Sequence, residues 1–162
     1  MKASSKIKPT RSELQQLVAE NYSAISLGLL GPLLDVLGLS REACGGDMDK
    51  FLIMLVVAIR TTAHKDFARY SRDQLLSGEV AVFPSLGVNI QSIADSVGAP
   101  KETIRRKVTE LVKAGWIERR GNQLYFTASA YRDFEGVREL IGKMAVRHYE
   151  VVEAVREAMP RL

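Results

Sequence analysis

The sequence predicts a mostly α-helical protein carrying one small β-hairpin, with helices at both ends flanking a central helix–turn–helix–hairpin segment. Three observations predict it. Apolar residues recur at three- and four-residue spacing through Leu14 to Leu29, Ile90 to Val112 and Ala130 to Ala158. Strand-forming residues meet only around a Gly121–Asn122 turn. Gly and Pro fall between the periodic stretches, at Gly31–Pro32, Gly45–Gly46, Gly78, Pro84, Gly87 and Gly98.

Taken in order, residues 1–11 are polar and basic and read as a flexible arm. Residues 12–46 carry the N-terminal helices. Ser12 and Gln15 offer a capping box for a helix through Leu14, Leu17, Val18, Tyr22, Ile25 and Leu29, which Gly31–Pro32 is expected to break. A short helix, 33–37, then precedes a loop at 40–46. That first helix is apolar enough to need a partner surface, either the last helix or a second subunit. Asp47 or Asp49 caps the next helix, which runs through Phe51, Leu52, Leu55, Val56 and Ile59, is apolar nearly all round and is expected to be buried. Ser71 and Gln74 open a short helix ending at Gly78. Residues 79–88 read as an extended connection with one short strand at most.

The organising stretch is Asn89 to Thr127. Asn89 caps a helix with Ile90, Ile93, Ala94 and Val97 on one face; Gly98 ends it, and Pro100 starts the next. In that next helix, 101–114, Ile104, Val108, Leu111 and Val112 face a core. Glu102, Arg106, Thr109 and Lys113 lie opposite, flanked by Lys101 and Arg105. Trp116 and Ile117 begin a strand, Gly121–Asn122 turn it, and residues 123–127 return. Trp116 is expected to pack beneath the helix pair.

Residues 128–162 predict a long terminal helix. Ala130, Phe134, Val137, Ile141, Met144, His148, Val151, Val155 and Ala158 repeat at alternating spacings of four and three, the stripe of a multi-helix bundle. His148 on this stripe reads as a packing histidine, and His64 as a surface or capping one.

Composition narrows the function classes. A chain of 162 residues with 46% hydrophobic content can bury a core. One cysteine, Cys44, excludes an internal disulfide, and with two histidines it is too little for a zinc site. Cys44 has no assured basic neighbour to lower its pKa, which argues against a sensing thiol. No signal-peptide pattern opens the chain, and its longest uninterrupted apolar run, 51–59, is too short for a bilayer, so a cytoplasmic protein without a membrane partner is expected. No Gly-rich phosphate loop, metal cluster or nucleophile–base pair points to an enzyme, and no cofactor is implied. The charge is uneven. Residues 1–11 carry four basic groups and no acid, and residues 89–127 carry seven basic against four acidic. Residues 12–88 carry six against nine. That distribution suits a polyanion partner.

The stretch IADSVGAPKETIRRKVTELVKAGWIERRGN resembles the winged helix-turn-helix of bacterial transcription regulators. Within it, VGAPKETIRRKVTELVKAGWI is similar to the DNA-binding motif of catabolite-activator-type proteins. That similarity stops at the motif and implies no cyclic-nucleotide ligand. Helices at both ends of a winged helix-turn-helix, here 47–127, resemble the layout of the MarR family, in which the terminal helices form a homodimer. The resemblance implies a sequence-specific transcription regulator acting on double-stranded DNA. It places Lys101, Glu102 and Arg106 at base edges and Thr103 with the first helical N–H groups on a phosphate. Arg105, Lys107 and Lys113 are expected on the DNA backbone rather than at bases, and Thr109 completes the helix's contact face. Arg119, Arg120 and Asn122 form a wing tip for phosphate or minor-groove contact. A small-molecule effector is compatible with such a layout, but no polar anchor marks one. The competing expectation is a protein-docking winged helix that binds no DNA.

Overall fold

The computed structural model describes residues 9–158. It is mostly helical, with one two-stranded antiparallel sheet late in the chain. The helices are α1 (Arg11–Glu20), α2 (Tyr22–Ala43), α3 (Met48–Thr62), α4 (Arg72–Ser77), α5 (Ile90–Val97), α6 (Lys101–Lys113), α7 (Ala128–Asp133) and α8 (Glu135–Ala158); the strands are β1 (Ile117–Arg120) and β2 (Gln123–Phe126). The basic arm expected at 1–11 falls mostly outside the described residues.

Several boundaries differ from those expected. The first capping box is built by Thr10 and Glu13, not by Ser12 and Gln15. The Thr10 N–H donates to the Glu13 carboxylate at 2.6 Å, and the Glu13 N–H to the Thr10 hydroxyl at 3.3 Å. These bonds hold the Glu13 carboxyl below the usual glutamate range. Gly31–Pro32 does not break the helix: α2 runs through Pro32 to Ala43 and absorbs the first part of the loop expected at 40–46, leaving a turn at Cys44–Gly46. A proline removes one backbone bond, and flanking bonds together with packing outweigh that local signal. The terminal helix, in contrast, is divided at Phe134 into α7 and α8. In α3, Phe51, Ile53, Met54 and Val57 are buried, but Leu55 and Ile59 face solvent.

The described chain divides into two compact units: residues up to Leu37 with those from Glu139 onward, and Gly38–Arg138. The second holds a continuous core. Ile53, Val57, Ile93, Ile104, Val108, Leu111, Ile117 and Leu124 are essentially fully buried there. The strand pair has Ile117 opposite Phe126 and Arg120 opposite Gln123, so the turn is the two residues Gly121–Asn122. The 79–88 connection lies along this pair through an isolated bridge between Val82 and Thr127. Phe83 enters the core beside Phe126, Tyr131 and Phe67, at ring-centroid separations of 5.6–6.4 Å.

The first unit has less inside it. Leu17, Ile25 and Val36 are buried. Gly28 lies so close to α8 that an added Cβ would stand 2.7 Å from a Val151 methyl. His148 Nε2 bonds the Leu29 carbonyl at 2.9 Å, in keeping with a packing histidine. Along α2, Leu27, Leu30, Leu33, Leu34 and Leu37 are exposed. With mean hydropathy 1.6 and 17% of its apolar window buried, α2 is long and apolar enough to cross a membrane by length and composition. That length appears only because Pro32 leaves the helix whole.

Candidate functional site

The site is built on the α5–α6 pair and the β1–β2 tip. Asn89 accepts the Ser92 N–H at 2.9 Å and so fixes where α5 begins. Gly98, at φ +70°, ends α5, and its N–H donates to the Ala94 carbonyl at 2.9 Å. Such a φ is strained for any residue with a Cβ, and here it folds the chain back within two residues to Pro100. No side chain caps α6, so its first N–H donors remain available to an outside acceptor.

On α6 the amphipathic division is clean. Ile104, Val108 and Leu111 are buried. Lys101, Glu102, Arg105, Arg106, Thr109 and Lys113 are exposed, and Thr103 is half-buried. Val112, expected in the core, is at the surface. Arg105 pairs with Glu102 at 3.4 Å, an exposed ion pair worth at most about 1 kcal/mol and readily exchanged. Lys101, Arg106 and Lys113 make no salt bridge among the described residues. The Thr109 hydroxyl donates to the Arg105 carbonyl at 3.0 Å, leaving its lone pairs outward.

Lys107 is a correction. It is only 8% exposed, and its ammonium bonds Asp47 while lying 3.3 Å from Asp49. It cannot reach a nucleic acid. The physical reason was present in the sequence: position 107 lies three after Ile104 and four before Leu111, on the inward face. Asp47 does two jobs, capping α3 through the Asp49 N–H at 3.1 Å and receiving Lys107 with its other oxygen. Burial pushes the Asp47 carboxyl up, but bonds from Lys107 and the Lys50 N–H outweigh it and hold the group below the usual range. The Asp47 bond raises Lys107 above the usual lysine value. Lys50 and Glu110, 2.6 Å apart, flank this cluster, which ties α6 to the start of α3.

At the hairpin tip, Arg119 Nε donates to the Gly121 carbonyl at 3.1 Å. Arg120 turns to Glu118 at 2.6 Å and lies over the Tyr125 ring at 5.2 Å. Its charge is therefore partly answered within the strand pair. Trp116 is half-buried and packs against the core, with its outer contacts made to α7. Its ring meets Phe134 edge-on at 4.8 Å, and its indole N–H donates to Asp133 at 2.7 Å, anchoring the hairpin to α7.

These elements enclose a groove of about 460 Å³ lined by Asn89, Ile90, Gln91, Lys101, Arg105, Arg119 and Asn122. Four of the residues expected at a DNA interface, Lys101, Arg105, Arg119 and Asn122, converge there. Glu102, Thr103, Arg106, Thr109, Lys113 and Arg120 are outside its lining. Asn89 and Gln91 were not anticipated as lining residues, although the capping position of Asn89 was the signal that put it at a helix N-terminus. Three cations and three side-chain amides line the groove, and no carboxylate does. Its chemistry is that of an oxyanion receptor.

No family model, curated protein or solved structure matches the chain. The groove and its surroundings therefore carry the functional reading.

Elsewhere, no cluster of three or more His, Cys, Asp or Glu able to hold a metal occurs among the described residues. Cys44 is buried, and desolvation, helped by Asp47, pushes its thiol up to about 11. That is the behaviour of an inert thiol. The His64 ring accepts the Asp66 N–H at 3.2 Å, a capping role.

Proposed function

We propose that the protein is a sequence-specific DNA-binding transcription regulator, a winged helix-turn-helix acting as a homodimer. In this reading α6 enters the major groove. The β1–β2 tip is the wing and rides on the backbone or minor groove. The observation that carries the reading is the acid-free groove between α6 and the tip, opening beside an uncapped helix N-terminus. A sugar–phosphate strand supplies oxyanions to such a groove. The exposed row of Lys101, Glu102 and Arg106 then faces base edges, where an arginine can pair with guanine and a glutamate can accept from cytosine.

The homodimer is supported by the leucine face of α2, which has no cover within the described chain. Two copies would present two α6 helices about 34 Å apart to successive major grooves of a palindrome. The reading is that of a binding protein, and it calls for no cofactor.

Selection of bound duplexes from a random pool, followed by titration of the selected duplex against salt, tests this directly. The expected result is a palindromic preference and a steep fall in affinity with salt, with binding lost in the Lys101→Ala, Arg106→Ala double variant. Absence of a duplex complex at low salt, with a protein partner retained by the same variant, would favour the docking-module alternative instead.

A further inference from the structure

A second cleft, of about 420 Å³, shares Asn89 with the groove and is also free of carboxylates. Its one charged residue is Arg60, in the last turn of α3. Arg60 is tied at both ends to one loop: its Nε donates to the Gly87 carbonyl at 3.0 Å, and the Leu86 N–H donates to its own carbonyl at 3.1 Å. The loop is itself constrained. Gly87 has φ +71°, and a Cβ there would stand 2.6 Å from the Gln123 amide oxygen. One nitrogen thus fixes the guanidinium plane, while the two terminal nitrogens bond nothing among the described residues. Such a fork is prepared for an oxygen anion and loses little freedom on binding it. One further donor lines the cleft. It is Ser92, whose hydroxyl can donate to an oxyanion.

We propose that Arg60 grips a backbone phosphate of the duplex, beyond the stretch held by α6 and the hairpin tip. The proposal rests on the DNA-binding reading and extends its footprint onto α3. The shared residue favours a polymer over a separate small anion. A strand lying in the groove passes Asn89 and meets the second cleft without leaving the surface, and neither depression opposes it with an acid. Arg60 contributes to register and affinity there, and carries no base preference.

The test is salt-dependent titration of the full chain with its selected duplex and with a shuffled duplex. Arg60→Gln is expected to flatten the slope of log affinity against log salt by about 0.9, the amount for one phosphate contact. It should weaken both duplexes by a similar factor, on the order of fivefold, while the circular dichroism spectrum stays that of the folded protein. Arg60→Lys keeps the charge and should keep the slope. Ser92→Glu leaves the Gly87 bond alone and sets a carboxylate in the cleft, so it should weaken both duplexes as well. An unchanged slope in Arg60→Gln, full binding by Ser92→Glu, or equal loss of slope in Arg60→Lys overturns the proposal while the DNA-binding reading stands. A shift in base preference in Arg60→Gln does the same. If the unaltered chain binds no duplex, the broader reading falls first and this one with it.

Discussion

Lys107 shows how much one side chain can redirect. A lysine on the inward face of α6 is tolerable only because Asp47 and Asp49 meet it, and neither carboxylate is deeply buried. Replacing Lys107 with Met leaves two acids near each other without their cation. The expected loss is about 1–2 kcal/mol, below the range for fully buried pairs because water reaches both aspartates. A denaturant titration measures it. The pH dependence has a definite sign. Asp47 has a lowered folded pKa, so its contribution is present above the ordinary aspartate range and lost as pH falls through the folded value. Lys107 has a raised folded pKa, so its contribution is present below the ordinary lysine value and lost as pH climbs through the folded one. The stability difference between the protein and Lys107→Met should accordingly shrink at both extremes. A difference constant across pH would refute the ionic origin of the clamp. Cys44 makes a second prediction at this scale. With its thiol at about 11 and the side chain buried, alkylation by iodoacetamide at neutral pH should be slow in the folded protein and quick once denaturant is added.

Among the elements, α2 and the α5–α6 pair respond differently to local signals. In α5–α6, cap, glycine and proline all agree with packing: Asn89 begins, Gly98 ends and Pro100 restarts the helical path. In α2 the proline signal loses. Pro32 lies inside a 22-residue helix, where its ring removes the backbone bond to Gly28 and crowds that carbonyl. Pro32→Ala should then stabilise the protein, by about 1–3 kcal/mol, seen as a higher denaturant midpoint and greater helical circular dichroism. A loss of stability would show that the proline shapes α2 in a way its neighbours need.

At the scale of the whole molecule, the question is what covers the leucines of α2. Leu27 is 83% exposed and Leu34 is 70% exposed, and each would release about 1.5–3 kcal/mol on full burial. A second copy of the chain is the proposed cover. Asp35, one residue beyond Leu34, counts against a bilayer, where a mid-span carboxylate costs roughly 2.5–3.5 kcal/mol. Leu27→Glu with Leu34→Glu should turn a dimer into a monomer in sedimentation velocity and weaken binding to a palindromic duplex far more than to a half-site. A monomeric parent protein at micromolar concentration, or one that floats with lipid vesicles, would remove the dimer from the proposal.

Much of this was legible in the residues alone. The mostly helical class, the hairpin about Gly121–Asn122, the cap at Asn89 and the outward face bearing Lys101 and Arg106 follow from periodicity and turn chemistry, which act over a few neighbouring positions. Packing settled the rest. The passage of α2 through Pro32, the division at Phe134, the capture of Lys107 by Asp47, the turning of Trp116 toward Asp133 and the Gly87 clasp on Arg60 join residues distant in sequence or set a local preference against burial. A three-residue spacing can say which side of a helix is wet. It does not reveal which counter-ion, 60 positions away, waits on the dry side.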